Sequence, residues 1–138
     1  MPPSPLCEGE RLLVSFPLCT VQTSIFDLAE QLNLPLHRWE EPGLGPTHGF
    51  GCRLDTGHFV VVEEHEHARA QLGIGATLYV EASQLIERGI DAVLSETIAG
   101  LSVPRQSVTW VQTEDAVEEA KRVVQYAIER NAKRESGN

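Results

Sequence analysis

Residues 49–63 restrict the fold of this chain more than any other stretch. Phe50, Cys52 and Leu54 alternate toward one side, Asp55-Thr56-Gly57 makes a tight turn, and His58 through Glu63 reads as a second extended run. Alternation on both sides of a glycine-containing turn predicts an antiparallel hairpin of strands 49–54 and 58–63. The Val60-Val61-Val62 run predicts that the second strand is buried on both faces or nearly so. The apolar side of this hairpin is expected to receive the last helix of the chain.

That helix is the other firm local signal. Thr113 suits an N-cap, and Glu114, Asp115, Glu118 and Glu119 sit where a helix start favours negative charge. Arg130, Lys133 and Arg134 sit at the end that favours positive charge. Val117, Ala120, Val124, Ala127 and Ile128 form the expected apolar stripe.

Between and before these elements the pattern alternates. Arg11 through Cys19 holds a short strand near Pro17, a residue that suits an edge or an element end. Ser24 caps a helix with Ile25, Leu28, Ala29 and Leu32 on one face, ended by Asn33. Leu34 through Trp39 is extended, and Glu41 through Gly49, with three glycines and two prolines, reads as a shaped loop. A short helix is expected from Glu64 to Gly73, a strand at Thr77–Val80, a helix from Ser83 to Gly89, and another from Asp91 to Gly100. In that last helix Val93, Leu94, Ile98 and Ala99 are expected inward. Ser107–Val111 is the expected final strand. The fold class is therefore α+β, with an antiparallel or mixed sheet of about four or five strands packed by helices, including the long C-terminal one. A loose arm is expected at 1–10, a single domain at 11–134 and a tail at 135–138.

Composition narrows the function classes. The 138 residues carry 20 acids and 11 bases, a formal charge of −9. Residues 1–62 hold seven acids and three bases, and residues 63–138 thirteen and eight, so the acidity belongs to the whole chain and not to a tail. Five of the bases lie between Lys121 and Arg134, with Glu118, Glu119, Glu129 and Glu135 in or beside them. Nucleic-acid binding through the backbone needs a positive surface, so it is not expected. A protein partner with a basic surface is expected instead. No apolar run is long enough to span a bilayer, and the first residues lack the pattern of a signal peptide. Three widely spaced cysteines, Cys7, Cys19 and Cys52, argue against a disulfide framework, and a reducing cytoplasm is the expected setting.

Chemistry-bearing residues concentrate around the hairpin. Glu63-Glu64-His65-Glu66-His67 places two histidines and three carboxylates in five residues. If the strand runs through residue 67, Glu63, His65 and His67 share a face that suits a transition metal. If a helix starts at Glu64, His65 and His67 diverge by about 200°. No metal or other cofactor is the expected state, and the metalloprotease spacing is missing. His48, framed by Gly43, Gly45, Gly49 and Gly51, is a candidate general base, and His58 is a further catalytic candidate, brought near Arg53 by the hairpin so that the pair can hold an anionic substrate. No phosphate-binding loop and no Gly-x-Ser-x-Gly elbow occurs, and Ser24 and Ser83 read as helix caps. Cys52 is expected buried and inert on the apolar side of its strand, and Cys7 exposed. Trp39 and Leu44, with Glu40 and Glu41 between them, form the candidate binding rim, because aromatic anchors dominate many interfaces. The leading expectation is a small acidic protein-binding or regulatory module that docks a basic partner or a copy of itself. The alternative is a small hydrolase-like or metal-dependent enzyme built on the histidines around 49–63.

Overall fold

The structure is a computed structural model of the chain and describes residues 4–5 and 15–136. The hairpin is present as expected. Leu54 N–H donates to His58 O at 2.7 Å, Gly57 N–H donates to Leu54 O at 2.8 Å, and Gly57 takes φ +95° to close the turn. Both strands are longer than the sequence pattern suggests: β4 spans Gly45–Arg53 and β5 spans Phe59–His65.

The segment expected as a loop from Glu41 to Gly49 is itself a hairpin. Strand β3, His37–Glu41, pairs with Gly45–Gly49 of β4, leaving only a tight turn between Glu41 and Gly45. Gly43 and Gly45, both at φ +82°, confine the bend to that turn. The other strands are β1 (Ser4–Pro5), β2 (Ser15–Val21), β6 (Ala76–Glu81) and β7 (Val108–Val111). The sheet order is β1-β4-β5-β6-β2-β7, and every pairing is antiparallel. Strand β4 has one edge against β5, while its other edge is shared by β3 and β1. The described sheet thus has seven strand segments, more than the four or five expected. Of the arm expected at 1–10, only Ser4–Pro5 is described, and it pairs with Arg53 and Cys52. Cys7 and the segment from Arg11 to Val14 lie outside the described residues.

Pro17, expected at an edge or an element end, sits inside strand β2. The strand lies between β6 and β7, but β7 pairs only from Cys19 onward, so Pro17 meets the ladder on one side. The register shifts between Pro17 and Cys19, which accommodates a residue without an N–H.

Among the described residues five α-helices and a 3-10 turn at Arg105–Ser107 accompany the sheet: α1 (Ile25–Leu32), α2 (Glu66–Leu72), α3 (Ala82–Arg88), α4 (Ile90–Gly100) and α5 (Asp115–Ser136). Ser24 caps α1 through its side chain to Phe26 N–H at 3.1 Å, and Asn33 ends it in the left-handed conformation. Ser83 caps nothing, because α3 begins one residue earlier with Glu81 at the N-cap. One sheet face carries Phe50, Cys52, Val60, Val62, Leu78 and Val80, which join Ile25 and Leu28 of α1, Leu85 of α3, and Val93, Leu94 and Ile98 of α4 in one core. Ala99, expected inward, is exposed.

Helix α5 does not lie on the hairpin. It packs against α3, burying Ala116 and Ala120 and half-burying Val117. The inner side of the hairpin is already occupied by α1 and α4, which reach it first in the chain. Ile128, expected in the buried stripe, is 57% exposed. Among the described residues no helix is long and apolar enough to cross a membrane.

Candidate functional site

The outer face of the sheet is the best-defined candidate. Registers fix its members: Trp39 pairs with Thr47 and Thr47 with His65; Gly49 pairs with Glu63; Gly51 pairs with Val61 and Val61 with Tyr79. Paired residues point to the same side, so Trp39, Thr47, Val61, Glu63, His65 and Tyr79 share the face opposite the core. Glu41 joins them, two residues along β3 from Trp39. Trp39, Glu41, Val61, Glu63, His65 and Tyr79 are all half-buried, whereas the inner-face residues Val60, Val62 and Leu78 are fully buried. Helix α2 stands at the upper rim of this face, with the His67 ring held over Gly45.

Glycine shapes the centre. A Cβ on Gly49 would lie 2.6 Å from Cη2 of Trp39, so the indole rests directly on the strand backbone. The ring then donates from Nε1 to Glu41 Oε2 at 2.5 Å, which fixes both side chains. Thr47 is fully buried beneath them, and its hydroxyl is 2.9 Å from Nδ1 of His65.

The electrostatics of the face follow from this crowding. Burial pushes the Glu63 carboxyl above its ordinary range; His65 works against that shift and Glu41 adds to it. The Tyr79 phenol is raised by burial and then by the Glu63 and Glu41 charges. Two carboxylates, a phenol and an indole therefore occupy one half-covered surface, and its charges act on Glu63 and Tyr79.

The sequence-level candidates separate into groups. Trp39 and Glu41 belong to the outer face, and Leu44, 51% exposed, stands at its rim. Glu40 points the other way and pairs with Arg38 at 3.3 Å. His65 and His67 both open onto a shallow depression with Gly43, Leu44, Ala68 and Gln71. Both readings of this stretch need adjustment, because the strand runs through His65 and the helix begins at Glu66. Glu63 stays two residues down the strand, about 7 Å away along its axis. Among the described residues no three His, Cys, Asp or Glu side chains converge as a cation site.

His37 shares the outer side of β3 with Trp39, whereas the other two histidines lie elsewhere. His48 is on the inner side, edge-on to Phe26 of α1 with ring centroids 4.7 Å apart. His58 turns toward α3 and α4, its Nε2 3.1 Å from Arg88 Nη1 and 3.6 Å from Glu96 Oε1. Burial tends to raise the Glu96 carboxyl, but bonds from Thr56 and Arg88 and the His58 and Arg88 charges hold it below its ordinary value. Arg53 does not join His58; its guanidinium lies 4.1 Å over the Phe59 ring, on the outer side. His48, His58 and His65 thus face three directions and share no cleft. Cys19 and Cys52 are buried, and that burial pushes both thiols up to about 12, outweighing Arg105 near Cys19. Neither is a poised nucleophile.

Glu64 was not a candidate from the sequence, yet it is the most buried carboxylate among the described residues, at 3% exposure. It accepts from the Ile25 backbone N–H at 3.3 Å and pairs with Arg69 at 2.8 Å, and Arg69 also donates to Gln22 O at 3.2 Å. This contact joins β5, α2 and the start of α1, where negative charge suits the helix dipole. The signal for it was the period of two: Val60, Val62 and Glu64 share a face. The same alternation, with Leu78 and Val80 inward, marks Tyr79 as an outer-face residue.

Comparison of the chain with protein-family models, with curated proteins and with solved structures gives no match.

Proposed function

We propose that the protein is a binding module whose outer sheet face receives a basic segment of a partner protein. The observation that carries this reading is the placement of Glu41 and Glu63 together on a half-covered face, flanked by Trp39 and Tyr79. The Glu63 carboxyl, whose proton affinity is raised by burial and by the Glu41 charge, is relieved by an incoming cation. A lysine or arginine side chain supplies that charge, and the indole and phenol rings offer it cation–π contact. The net charge of −9 steers such a partner toward the protein. The reading accords with a small acidic protein in a reducing compartment and needs no cofactor.

Calorimetric titration with a short peptide of alternating Lys and Val tests it. Replacing Glu41 and Glu63 together by Gln is expected to weaken binding by about tenfold or more, the size of a lost charged contact. Trp39→Ala is expected to act in the same direction. The same two-unit change in net charge made on α5, with Gln at both Glu118 and Glu119, leaves the affinity within twofold if the face is specific. Equal losses from the two double variants would show that the peptide responds only to bulk charge, and the reading fails.

A further inference from the structure

We propose that the basic partner segment crosses the outer sheet face at right angles to the strands, its cation at Glu63 and an apolar side chain about four residues further on resting against Trp110. The path rests on the proposed binding of a basic segment to this face, and adds to it a direction and a second anchor. The observation is one of register. His37 pairs with Gly49, Gly49 with Glu63, Glu63 with Thr77, Thr77 with Thr20, and Thr20 with Trp110. Cross-strand partners share a side, so these residues form one continuous row over β3, β4, β5, β6, β2 and β7, on the face that carries Trp39 and Tyr79. Burial at the far end agrees. Cys19 and Val21 of β2 are fully buried and Val108 and Val111 of β7 pack on the core, whereas Trp110 is 43% exposed.

Side-chain size makes the row a trough. Gly49, Thr77 and Thr20 are small, while the adjacent row carries the larger Val61, Tyr79 and Pro17. His65 stands on the other side, two residues along β5 from Glu63. An indole closes each end, Trp39 laid over Gly49 and Trp110 on β7. The chemistry of the two ends differs, and it selects what each receives. Glu63, with the Glu41 charge acting on it, attracts a cation. Beyond it Thr77, Thr20 and Trp110 carry no charge, and the Thr20 hydroxyl is already bonded to that of Thr109 at 2.8 Å. That end offers apolar contact on the exposed indole. From β5 to β7 is three interstrand steps, about 14 Å, which an extended peptide covers in about four residues. An even spacing also turns both of its side chains toward the sheet.

Two end-capped peptides of one composition, Lys-Ser-Ser-Ser-Leu and Lys-Ser-Leu-Ser-Ser, titrated into the full chain test the proposal. The first is expected to bind about fivefold or more tighter than the second, the size of one added apolar contact. Trp110→Ala is expected to abolish that difference with unchanged far-UV circular dichroism. The chain has two tryptophans, so Trp39→Phe, which keeps a ring over Gly49, leaves Trp110 as the one indole reporter. Saturation with the first peptide is expected to shield Trp110 from acrylamide quenching, and Glu41→Gln with Glu63→Gln to remove that shielding. Equal affinities for the two peptides, or unshielded Trp110 while binding still depends on Glu41 and Glu63, overturns the crossing path and leaves the binding reading standing. Absence of binding by both, with the alternating Lys and Val peptide still bound, does the same. Binding that ignores Glu41 and Glu63 overturns both. Shielding of Trp110 that survives the loss of both carboxylates places the peptide along the outer edge of β7 and overturns the path.

Discussion

Glu63 and Glu64 are neighbours on one strand, and the peptide between them separates two environments. Glu64 faces inward, where Arg69 and the start of α1 satisfy it. Glu63 faces outward, crowded by burial and by Glu41 with only His65 to offset them. The inner environment gives the Glu64 carboxylate both a charged and a backbone partner. The outer face holds its charges half-buried and incompletely matched. A sheet that keeps one face solvated has this freedom, since its stability is set by the other. The difference teaches where function can reside: apart from the fully buried Thr47, the outer-face side chains named above are only half-buried and remain open to a partner.

Substitutions along the strands test that division, starting with the most damaging. Gly75 precedes β6, and a Cβ there would lie 2.0 Å from the Val21 carbonyl oxygen. Backbone cannot yield as a side-chain tip does, so Gly75→Ala is expected to cost about 3 kcal/mol or more in denaturant unfolding. Next is the pair Leu78 and Tyr79, adjacent on β6. Leu78→Ala on the inner face should cost about 3 kcal/mol, whereas Tyr79→Ala on the outer face should cost no more than about 1 kcal/mol. Similar losses for the two would erase the distinction between the faces.

The smallest effects are the sharpest, because they differ in sign. Glu64→Gln leaves Arg69 without its counter-charge and is expected to cost about 2 kcal/mol at neutral pH. Glu63→Gln is expected to stabilise slightly at neutral pH. The native Glu63 carboxyl is raised above its ordinary value of 4.5, so its ionised form is a load on the folded state. The advantage of Gln is full above the raised native value, shrinks as pH falls through it, and is gone below 4.5. Urea midpoints collected from acid to neutral pH would expose a flat difference, which contradicts this origin.

Much of the architecture was legible because it rests on local signals. The turn at Asp55–Gly57, the Ser24 and Asn33 ends of α1 and the acid-to-base gradient of α5 each act within a few residues. What escaped depends on contacts between distant segments. Glu41 through Gly49 looks like a loop by composition, yet pairing with β3 overrides its glycines and prolines. Helix α5 shows a clear stripe, but a stripe does not name its partner, and α1 and α4 take the hairpin before α5 is reached. At the site, Trp39, Leu44 and Glu41 were found as aromatic, apolar and acidic neighbours in sequence. Tyr79 and Thr47 were not, since only the register across three strands brings them alongside. His48, His58 and His65 belong to one stretch of sequence, yet strand alternation puts His65 on the outer face, and the length of the hairpin separates His48, beside Phe26 of α1, from His58, beside Arg88 and Glu96.

The position of β2 has a consequence for how the molecule is made. Ser15 through Val21 are synthesised before both of their ladder partners, Ala76–Glu81 and Val108–Val111. Until those segments are translated, a largely apolar strand lacks the neighbours it has in the finished sheet. Closing the ladder on β2 is thus a long-range event, the kind of pairing that loop-closure entropy makes slow.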